Sequence, residues 1–375
     1  MSHWLIISGN AHGLARSCVR AGATCDVIDP YGDCDTAALA RRLVRADTRD
    51  GSFDDDLPGR IAAMDGSWNG IVTGSGFERR PDLLDALRRY APVVGNDART
   101  TRRCKKPGDL SDGLRRAGVA FAPIAITGRA ADGWLMKEVG ACGGLHVRPA
   151  HGGELIAAGW YAQHRVAGVP ASVLFLADGE DARIVGISRQ RPGCTAGPYA
   201  WCEAVSDLPM DETWRMALAR DLDAITREFG LRGLNGLDMV LSETGYTLLE
   251  INPRPTATLA LYDDRVEGGL FAAHIAASKG RLADIRLMPD RTVRGLRVVW
   301  APDDLQIGHG VRWPAWCTDL PACGSRIGRA QPLCTVHAAA ADPGAASALL
   351  RDRERQMLDM FGLRSGQMMT TTVLS

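Results

Sequence analysis

The stretch LDMVLSETGYTLLEINPRP, residues 237–255, decides the fold of this chain. It predicts two β-strands joined by a short turn, because two apolar runs flank the sequence SETG. Asp238 lies on the first strand and Glu250 on the second, and Asn252 shares the face of Glu250 because side chains alternate along a strand. A hairpin brings these three oxygen-bearing side chains to one point, and such ligands suit Mg²⁺. The alternative is a solvated hairpin with scattered acidic residues.

A lysine followed by a glycine-rich loop is the second signal. Lys137 lies on a predicted strand, and Gly140, Gly143 and Gly144 follow it. A lysine at this place can contact phosphate oxygens while the backbone amides of the loop close over them. The alternative is an exposed lysine before a hairpin turn; neither GKS nor GKT follows, so this is not a Walker loop. His146, just after the loop, is interpreted as a surface residue.

The charge balance argues against two classes of partner. Lys plus Arg and Asp plus Glu both number 44 in 375 residues, so the formal net charge is zero. Nucleic acid and anionic membranes favour a surplus of basic charge, so we expect neither as a partner. The amino terminus has no basic region, and no stretch approaches the roughly 18 apolar residues of a membrane span. We therefore expect a cytoplasmic protein.

The ten cysteines are expected as free thiols, because disulfides are rare in the cytosol. Cys317, Cys323, Cys334 and His337 are an alternative zinc site, but no CxxC pair occurs and their spacing matches no common zinc motif. Buried cysteines that act as small hydrophobic residues are the favoured interpretation.

The first 96 residues predict an α/β domain with a ligand-binding edge. Short apolar strands alternate with glycine-containing turns and helices, although the glycine spacing does not fit GxGxxG. In open α/β sheets, ligands bind beyond the carboxyl ends of the strands. Two such ends carry the candidate substrate residues Asp29, Asp33, Ser75, Gly76, Phe77 and Glu78. Acidic side chains there favour an amine substrate; the alternative is a capped turn that starts the next helix. His12 is interpreted as a surface residue.

In this order, the motifs resemble those of the ATP-grasp superfamily of carboxylate–amine and carboxylate–thiol ligases. The resemblance runs through a basic helix ending in GVAFAP, the strand and loop WLMKEVGACGG, the linker strand YAQHRVAG and the hairpin quoted above. It implies an α/β fold, α+β in parts, with a Rossmann-like amino-terminal domain, a small lid domain and a carboxy-terminal antiparallel-sheet domain. We expect the Rossmann-like substrate domain at 1–96, a helix and lid at 97–165, a metal and nucleotide domain at 166–290, and a strand-rich extension at 291–375.

Within the superfamily the chain looks most like a group of predicted ATP-dependent carboligases related to biotin carboxylase and to the tyramine–glutamate ligase of methanofuran synthesis. The segments DPYGDCDT, GSGFE and GISRQ carry this narrower resemblance. It implies an ADP-forming enzyme that joins a carboxylate, such as glutamate, to an amine through an acyl phosphate, in the synthesis of a one-carbon carrier cofactor. The alternatives are bicarbonate activation, as in biotin carboxylase, and ATP binding without turnover. Relatives are often dimers, so the resemblance also implies a homodimer.

The resemblance assigns roles to individual residues. Asp238, Glu250 and Asn252 would hold Mg²⁺, or Mn²⁺ in its place, against the phosphates of ATP. The residues implied to contact the nucleotide are Lys106 (with Lys105 as the alternative), Lys137, Gly140, Gly143, Gly144, Gln163, Arg165 and Val166. Arg254 and Arg189 are the implied catalytic residues, facing the acyl group. An acidic residue that often holds the ribose falls at Pro170, which cannot make that contact.

Overall fold

The computed structural model describes residues 1–363, and residues 364–375 of the predicted extension lie outside the described residues. Within the described range the predicted fold is confirmed: an α/β amino-terminal domain and a small lid are joined to a large antiparallel sheet. No helix in this range combines the length and the apolar character needed to cross a membrane.

The amino-terminal domain is built on a parallel sheet. Its elements are β1 (His3–Ile7), α1 (His12–Arg20), β2 (Thr24–Asp29), α2 (Cys34–Leu39), β3 (Arg42–Arg45), β4 (Thr48–Arg49), β5 (Ser52–Phe53), α3 (Leu57–Ala63), β6 (Ile71–Thr73), α4 (Asp82–Leu87) and β7 (Val93–Val94). The main strands run in the order β3-β2-β1-β6-β7 and are all parallel, which is a Rossmann-like order. β1 is apolar throughout most of its length because helices cover both faces of the sheet.

Two helices and the lid follow. The elements are α5 (Ala98–Lys105), α6 (Pro107–Ala117), β8 (Ile124–Ala125), β9 (Arg129–Ala130), β10 (Trp134–Glu138), β11 (Arg148–Pro149), β12 (Glu154–Leu155) and β13 (Trp160–His164). The sequence predicts one helical pattern up to Gly118, but Pro107 divides it. Proline lacks the N–H of a continuous helix, and Lys106 before it has an extended backbone. The lid sheet has the order β11-β10-β13-β8.

The remainder of the described chain forms one large sheet and its helices. The elements are β14 (Val169–Asp178), β15 (Ala182–Cys194), β16 (Gly197–Val205), α7 (Glu212–Phe229), β17 (Arg232–Ser242), β18 (Gly245–Asn252), α8 (Leu259–Tyr262), α9 (Gly269–Ser278), β19 (Val293–Trp300), β20 (Leu305–Gln306), β21 (Cys317–Thr318), β22 (Arg326–Ile327), β23 (Pro332–Ala340) and α10 (Pro343–Met360). Eight strands pair in the antiparallel order β18-β17-β14-β15-β16-β19-β23-β21. The extension therefore continues the sheet of the preceding segment.

The large sheet is covered on both faces. On β14, Val173 and Phe175 pack with the core of α7, whereas Leu174 and Leu176 pack with the core of α9. On β19, the guanidinium group of Arg297 is buried and donates to Glu203 at 3.0 Å and to Glu354 of α10 at 2.7 Å. Each core strand is thus held from above and below, which fixes the side chains that reach the cavity described next.

The cysteines are free thiols. Cys317 and Cys334 are buried, and the Cys317 thiol lies 3.4 Å from Met357 Sδ. Cys323 is exposed, so the alternative zinc residues do not gather at one point.

Candidate active site

A cavity of ≈1740 Å³ lies where the amino-terminal domain, the lid and the large sheet meet. Its walls come from the loop after β1, the glycine loop of the lid, the linker between β13 and β14, strands β15, β17 and β18, and the extension. Every metal candidate lines this cavity: Asp238, Glu250 and Asn252.

The hairpin β17–β18 brings the predicted metal residues together. Asp238 pairs directly with Glu250 across the two strands, so both side chains lie on one face. Asn252 Nδ2 donates to Asp238 Oδ2 at 3.0 Å and to Glu250 Oε1 at 3.3 Å. One oxygen atom of each carboxylate therefore faces the same point, at Asn252 Nδ2. The solvated-hairpin alternative does not describe this cluster.

Two lysines supply the opposite charge. Lys105, at the end of α5, has a buried side chain whose Nζ donates to Asn252 Oδ1 at 2.7 Å and lies 3.6 Å from Glu250 Oε2. Lys137 on β10 also lines the cavity, and its Nζ donates to Gln163 Oε1 at 2.7 Å. Three carboxylate or amide side chains and the Lys137 ammonium group thus line one wall, and the buried Lys105 ammonium group contacts them from behind.

Lys106, the first of the two lysines implied to contact ATP, lies away from the cavity, whereas its alternative Lys105 contacts the acidic cluster. The side chain of Lys106 is 63% exposed and lies 3.5 Å from Asp109, on the surface. The helix break at Pro107 is the reason: α5 ends at Lys105, and the extended backbone of Lys106 turns its side chain away from the cavity.

The charges of the cluster shift one another's pKa. Burial and the adjacent Glu250 charge raise the pKa of Asp238 to about 7. Burial also opposes ionisation of Glu250, but the ammonium groups of Lys105 and Lys137 outweigh it and lower the pKa of Glu250 to about 2. Burial lowers the pKa of Lys137. A cation placed between the two carboxylates would favour the ionised form of both.

The glycine loop is docked on the large sheet. The Gly143 carbonyl accepts a hydrogen bond from the Trp201 N–H of β16 at 2.9 Å. Gly144 has φ of +78°, and a Cβ there would lie 2.0 Å from the Tyr199 carbonyl oxygen, so the contact requires glycine. Gly143 and Gly144 line the cavity, whereas Gly140 packs against the backbone of the amino-terminal domain near Arg79.

His146 lies at the edge of the same loop, and the prediction of a surface residue is wrong. It lines the cavity, and its Nδ1 is buried without a hydrogen-bond partner among the described residues. Burial lowers its pKa.

The linker strand orients one lysine and borders the cavity. Gln163 is buried; besides accepting from Lys137, its Nε2 donates to the Leu249 carbonyl at 2.9 Å. The amide of Gln163 therefore holds Lys137 against β18. The predicted residues Arg165 and Val166 both line the cavity, as does Pro170.

Arg254 lines the cavity and is held from behind by Glu78. Its Nε donates to Glu78 Oε1, and the other carboxylate oxygen of Glu78 accepts the N–H groups of Gly76 at 2.8 Å and Phe77 at 2.9 Å. Burial would raise the pKa of Glu78, but the charge of Arg254 outweighs it and the pKa is lowered. Glu78 is thus the counter-ion that positions Arg254.

Arg189 is not at the site. It is exposed and lies on the opposite face of β15, because alternate side chains of a strand point to opposite faces. Its neighbour Gln190 lines the cavity instead and donates to Asp238 Oδ1 at 3.3 Å. The motif GISRQ lies on a strand that borders the cavity. Side chains alternate along this strand, so Gln190 rather than Arg189 faces the cavity.

Most of the predicted substrate residues lie beneath the cavity surface. Ser75 lines the cavity. Phe77 is a core residue whose ring centroid lies 5.3 Å from that of Phe53, and a Cβ at Gly76 would meet the same Phe53 ring at 2.7 Å. Asp29 and Asp33 are buried at the end of β2 and do not line the cavity. These residues were predicted to face a substrate, but they are buried at the ends of their strands, and the sequence alone does not show that burial.

The sequence missed the contribution of the extension and of the first loop. Asp319, Thr335 and His337 from the extension line the cavity, as do Asn10 and His12. The prediction that His12 is a surface residue is therefore wrong. A positive φ of 58° at Asp319 marks an unusual backbone, but no sequence pattern signals it.

The comparisons with known proteins agree with this geometry. Residues 112–258 match the family model of the ATP-grasp domain. An L-amino acid ligase from Bacillus licheniformis superposes with a TM-score of 0.69 at 12% identity, over 94% of this chain and 96% of that one. A biotin carboxylase from Campylobacter jejuni gives 0.70 at 12% identity, over 93% and 90%. An N5-carboxyaminoimidazole synthetase from Staphylococcus aureus gives 0.64 at 14% identity, over 96% and 97%. None of the curated proteins matches the sequence.

The chain contains an ATP-grasp domain and has the ATP-grasp fold. The ATP-grasp fold implied by the sequence motifs is therefore confirmed. The narrower likeness to the carboligase group stays a prediction.

Proposed function

We propose that this chain is an ADP-forming ligase that uses ATP to join a carboxylate to an amine. One observation carries the proposal: Asp238, Glu250, Asn252 and Lys137 line one wall of a large cavity, and Lys105 contacts Asn252 and Glu250 from behind that wall. A magnesium-bound triphosphate needs anionic ligands for the metal and cationic partners for the phosphates at the same place. No nucleophilic side chain is needed.

The acidic cluster fits Mg²⁺, with Mn²⁺ as a substitute. Hard oxygen ligands suit these ions, and the two carboxylate oxygens that share Asn252 Nδ2 already face one point. Asp238 and Glu250 would hold the ion through these oxygens and Asn252 through its amide oxygen Oδ1, because the Nδ2 group is a donor and cannot ligate a cation. When bound, it neutralises phosphate charge and orients the phosphate oxygens.

The residues of the chain then account for each step. Lys137 binds phosphate oxygens and Lys105 holds Glu250 and Asn252 in place, so that a substrate carboxylate oxygen can attack the γ-phosphorus of ATP while ADP leaves. The nitrogen of the neutral amine forms a C–N bond with the acyl carbon, the C–O bond to phosphate breaks with its electron pair leaving on phosphate, and the proton released from the nitrogen passes to the departing phosphate. Arg254, fixed by Glu78, stabilises the developing oxyanion. The docked glycine loop excludes water, which would hydrolyse the acyl phosphate.

The substrates are proposed from two supports. The resemblance to a glutamate ligase places glutamate first among the carboxylates and points to the synthesis of a one-carbon carrier cofactor. Biotin carboxylases and carboxyaminoimidazole synthetases share the fold, so bicarbonate is the second candidate for the acid substrate. The homodimer stays a prediction, which sedimentation of the purified chain would test.

Product analysis tests the proposal directly. The purified chain is incubated with ATP, Mg²⁺, a panel of amino acids and bicarbonate, each with and without amines, and the nucleotide products are separated. We expect ADP and phosphate to form only when a carboxylate and an amine are both supplied, either by two compounds or by one amino acid that carries both groups. AMP with pyrophosphate would contradict the acyl-phosphate route. Bicarbonate-dependent ADP would indicate a carboxylase, and tight ATP binding without turnover on the whole panel would indicate a non-catalytic protein.

A matched pair of variants tests the metal site. Glu250→Gln and Asp238→Asn keep the side-chain shape but remove a ligand charge, so we expect ADP release to fall at least about a hundredfold. Glu243→Gln on the exposed turn of the same hairpin is the control and should retain activity. Retention of more than about a tenth of activity by Glu250→Gln would contradict the metal role.

A further inference from the structure

His12, the first residue of α1, is a buried histidine whose ring has one engaged and one free nitrogen. It lines the cavity although the residue is only 9% exposed. Its Nδ1 lies 3.2 Å from Asp35 Oδ2 and 3.4 Å from Thr36 Oγ1, both on α2. Its Nε2 has no hydrogen-bond partner among residues 1–363 and is not enclosed by protein. The edge of the imidazole ring that carries Nε2 therefore borders the cavity.

Asp35 is fixed next to this ring by the extension. Its Oδ2 accepts the Asp319 N–H and its Oδ1 accepts the Leu320 N–H, both at 2.9 Å. The Cys34 N–H donates to the Leu320 carbonyl at 2.8 Å. Asp33 gives α2 no side-chain cap, so the capped-turn alternative is wrong and these bonds hold the start of the helix instead. The carboxylate beside His12 thus has a set position before any substrate binds.

The position of Asp35 favours one tautomer of the neutral His12 ring. A carboxylate beside one ring nitrogen keeps the proton on that nitrogen and fixes the orientation of the imidazole. In the other tautomer, the lone pair of Nδ1 would face the Asp35 carboxylate at 3.2 Å, which is repulsive. With the proton on Nδ1, the lone pair of Nε2 is directed at the cavity. Nε2 is then the ring atom that can take a proton from a bound molecule.

Three further titratable or charged groups face His12. Burial raises the pKa of Asp319, and the nearby charge of His12 opposes this rise. Burial, followed by the charges of Arg16 and His12, lowers the pKa of His337 to about 4, so His337 is neutral at neutral pH. When His12 takes up a proton, Asp35 and Asp319 can balance its positive charge, whereas Arg16 opposes it.

The loop that carries His12 adjoins the part of the cavity where Arg254 lies. The Gly9 N–H of this loop donates to the Ser75 carbonyl at 2.8 Å. The two residues after Ser75 donate their N–H groups to Glu78, and Glu78 accepts from Arg254. A molecule bound between this loop and Arg254 therefore has a proton acceptor on one side and the proposed acyl site on the other.

We infer that Nε2 of His12 removes a proton from the ammonium form of the amine substrate and that Asp35 positions the ring for this step. The inference rests on the proposed function, because an acyl phosphate is attacked only by a neutral amine. One N–H bond of the ammonium group breaks, its electron pair stays on nitrogen, and the proton moves to Nε2. After the amine has attacked, the second proton passes to the departing phosphate, and His12 returns its proton to solvent.

The tautomer of His12 tests the inference without substrate or turnover. Nitrogen NMR of the full chain distinguishes protonated from unprotonated ring nitrogens, and the signals missing in His12→Gln identify those of His12. We expect the neutral ring to carry its proton on Nδ1 and this fraction to fall in Asp35→Asn, with thermal unfolding verifying that both variants fold. A neutral wild-type ring protonated on Nε2 would overturn the inference, and an unchanged fraction in Asp35→Asn would contradict the positioning role.

Hydroxylamine provides a test by turnover, because it is uncharged at neutral pH and needs no base. It converts an acyl phosphate into a hydroxamate, and it is compared with the amine that supports most ADP release. We expect the ratio of amine-dependent to hydroxylamine-dependent ADP release to fall about a hundredfold in His12→Gln. His151→Gln, at an exposed site of the lid, is the matched control and should leave the ratio constant. A merely structural role would lower both activities together, so a constant ratio in His12→Gln would overturn the inference.

The deficit of His12→Gln should also depend on pH. Each pH unit raises the neutral share of a protonated amine in solution by about tenfold, so the deficit relative to the wild type should shrink by roughly that factor. A deficit that does not change with pH would contradict the role of a base. Hydroxamate formation with a constant ratio would overturn only this inference, whereas neither ADP nor hydroxamate with any carboxylate would contradict the proposed function, whatever the tautomer of His12.

Discussion

At the scale of single residues, the site depends on how each charge is held. Lys105 reaches Glu250 and Asn252 from a helix end, Gln163 holds Lys137, and Glu78 fixes Arg254. Each of these three cations thus has an anion or amide beside it. Such pairing pre-orients the donors before a nucleotide arrives, so little reorganisation is needed when charge develops.

The two adjacent lysines give a sharp test at this scale. Lys105→Met removes a buried ammonium group of the cluster, so we expect the affinity for MgATP to fall about tenfold or more. Lys106→Met makes the same chemical change at an exposed position and should alter the affinity less than about twofold. Calorimetric titration of both variants with MgATP measures the difference. Equal losses in the two variants would place the nucleotide elsewhere.

At the scale of elements, a hairpin and a loop form the site. The hairpin β17–β18 sets Asp238 opposite Glu250 by direct strand pairing, while the loop after β10 closes over it by docking on β16. The ion pair between Arg79 and Glu138 joins the amino-terminal domain to the lid next to this loop. The hairpin therefore supplies the acidic cluster, and the loop of the lid encloses it.

Two neighbouring glycines test the docking of the loop. Gly143 and Gly144 both have positive φ, so alanine strains the backbone at either position by about 1 kcal/mol. Only Gly144→Ala also places a Cβ 2.0 Å from the Tyr199 carbonyl oxygen, whereas a Cβ at Gly143 meets no neighbour within 4 Å. We expect Gly144→Ala to weaken MgATP binding at least about tenfold more than Gly143→Ala does, as calorimetry would show. Similar losses would mean that the loop does not close against β16.

At the scale of the whole molecule, the cavity exists because three parts of the chain are held together. His274 on α9 joins two of them: its Nδ1 accepts the Leu234 N–H of β17 at 2.9 Å, and its Nε2 lies 3.1 Å from the Val94 carbonyl of β7. The neutral imidazole protonated on Nε2 satisfies both bonds. The junction between the parallel sheet and the large sheet therefore requires a neutral histidine.

This junction predicts an acid-sensitive stability. Burial lowers the pKa of His274 to about 4, below its ordinary value of 6.5, so the unfolded chain binds the proton more tightly. The contribution of His274 to stability is complete above pH 6.5 and is lost as the pH falls towards 4, by about 2 kcal/mol between roughly pH 7.5 and pH 5. In urea unfolding, the stability gap between wild type and His274→Gln should narrow by that amount at the lower pH. His151→Gln, at an exposed site, should show no such change; a constant gap for His274→Gln would contradict the prediction.

The sequence by itself determined the hairpin β17–β18, the glycine loop after β10 and the linker strand β13. Each is a local element in which a short turn or a strand alternation fixes the relation of nearby residues, as for Asp238 and Glu250. Three other points were decided only by the tertiary structure. The helix break at Pro107 places Lys105 rather than Lys106 against the acidic cluster, and the face of β15 that borders the cavity carries Gln190 rather than Arg189. Asp35 accepts the backbone N–H of Asp319, which lies 284 residues further along the chain. Burial and long-range packing depend on how distant segments fold together, and no local pattern encodes which face of an element they will cover.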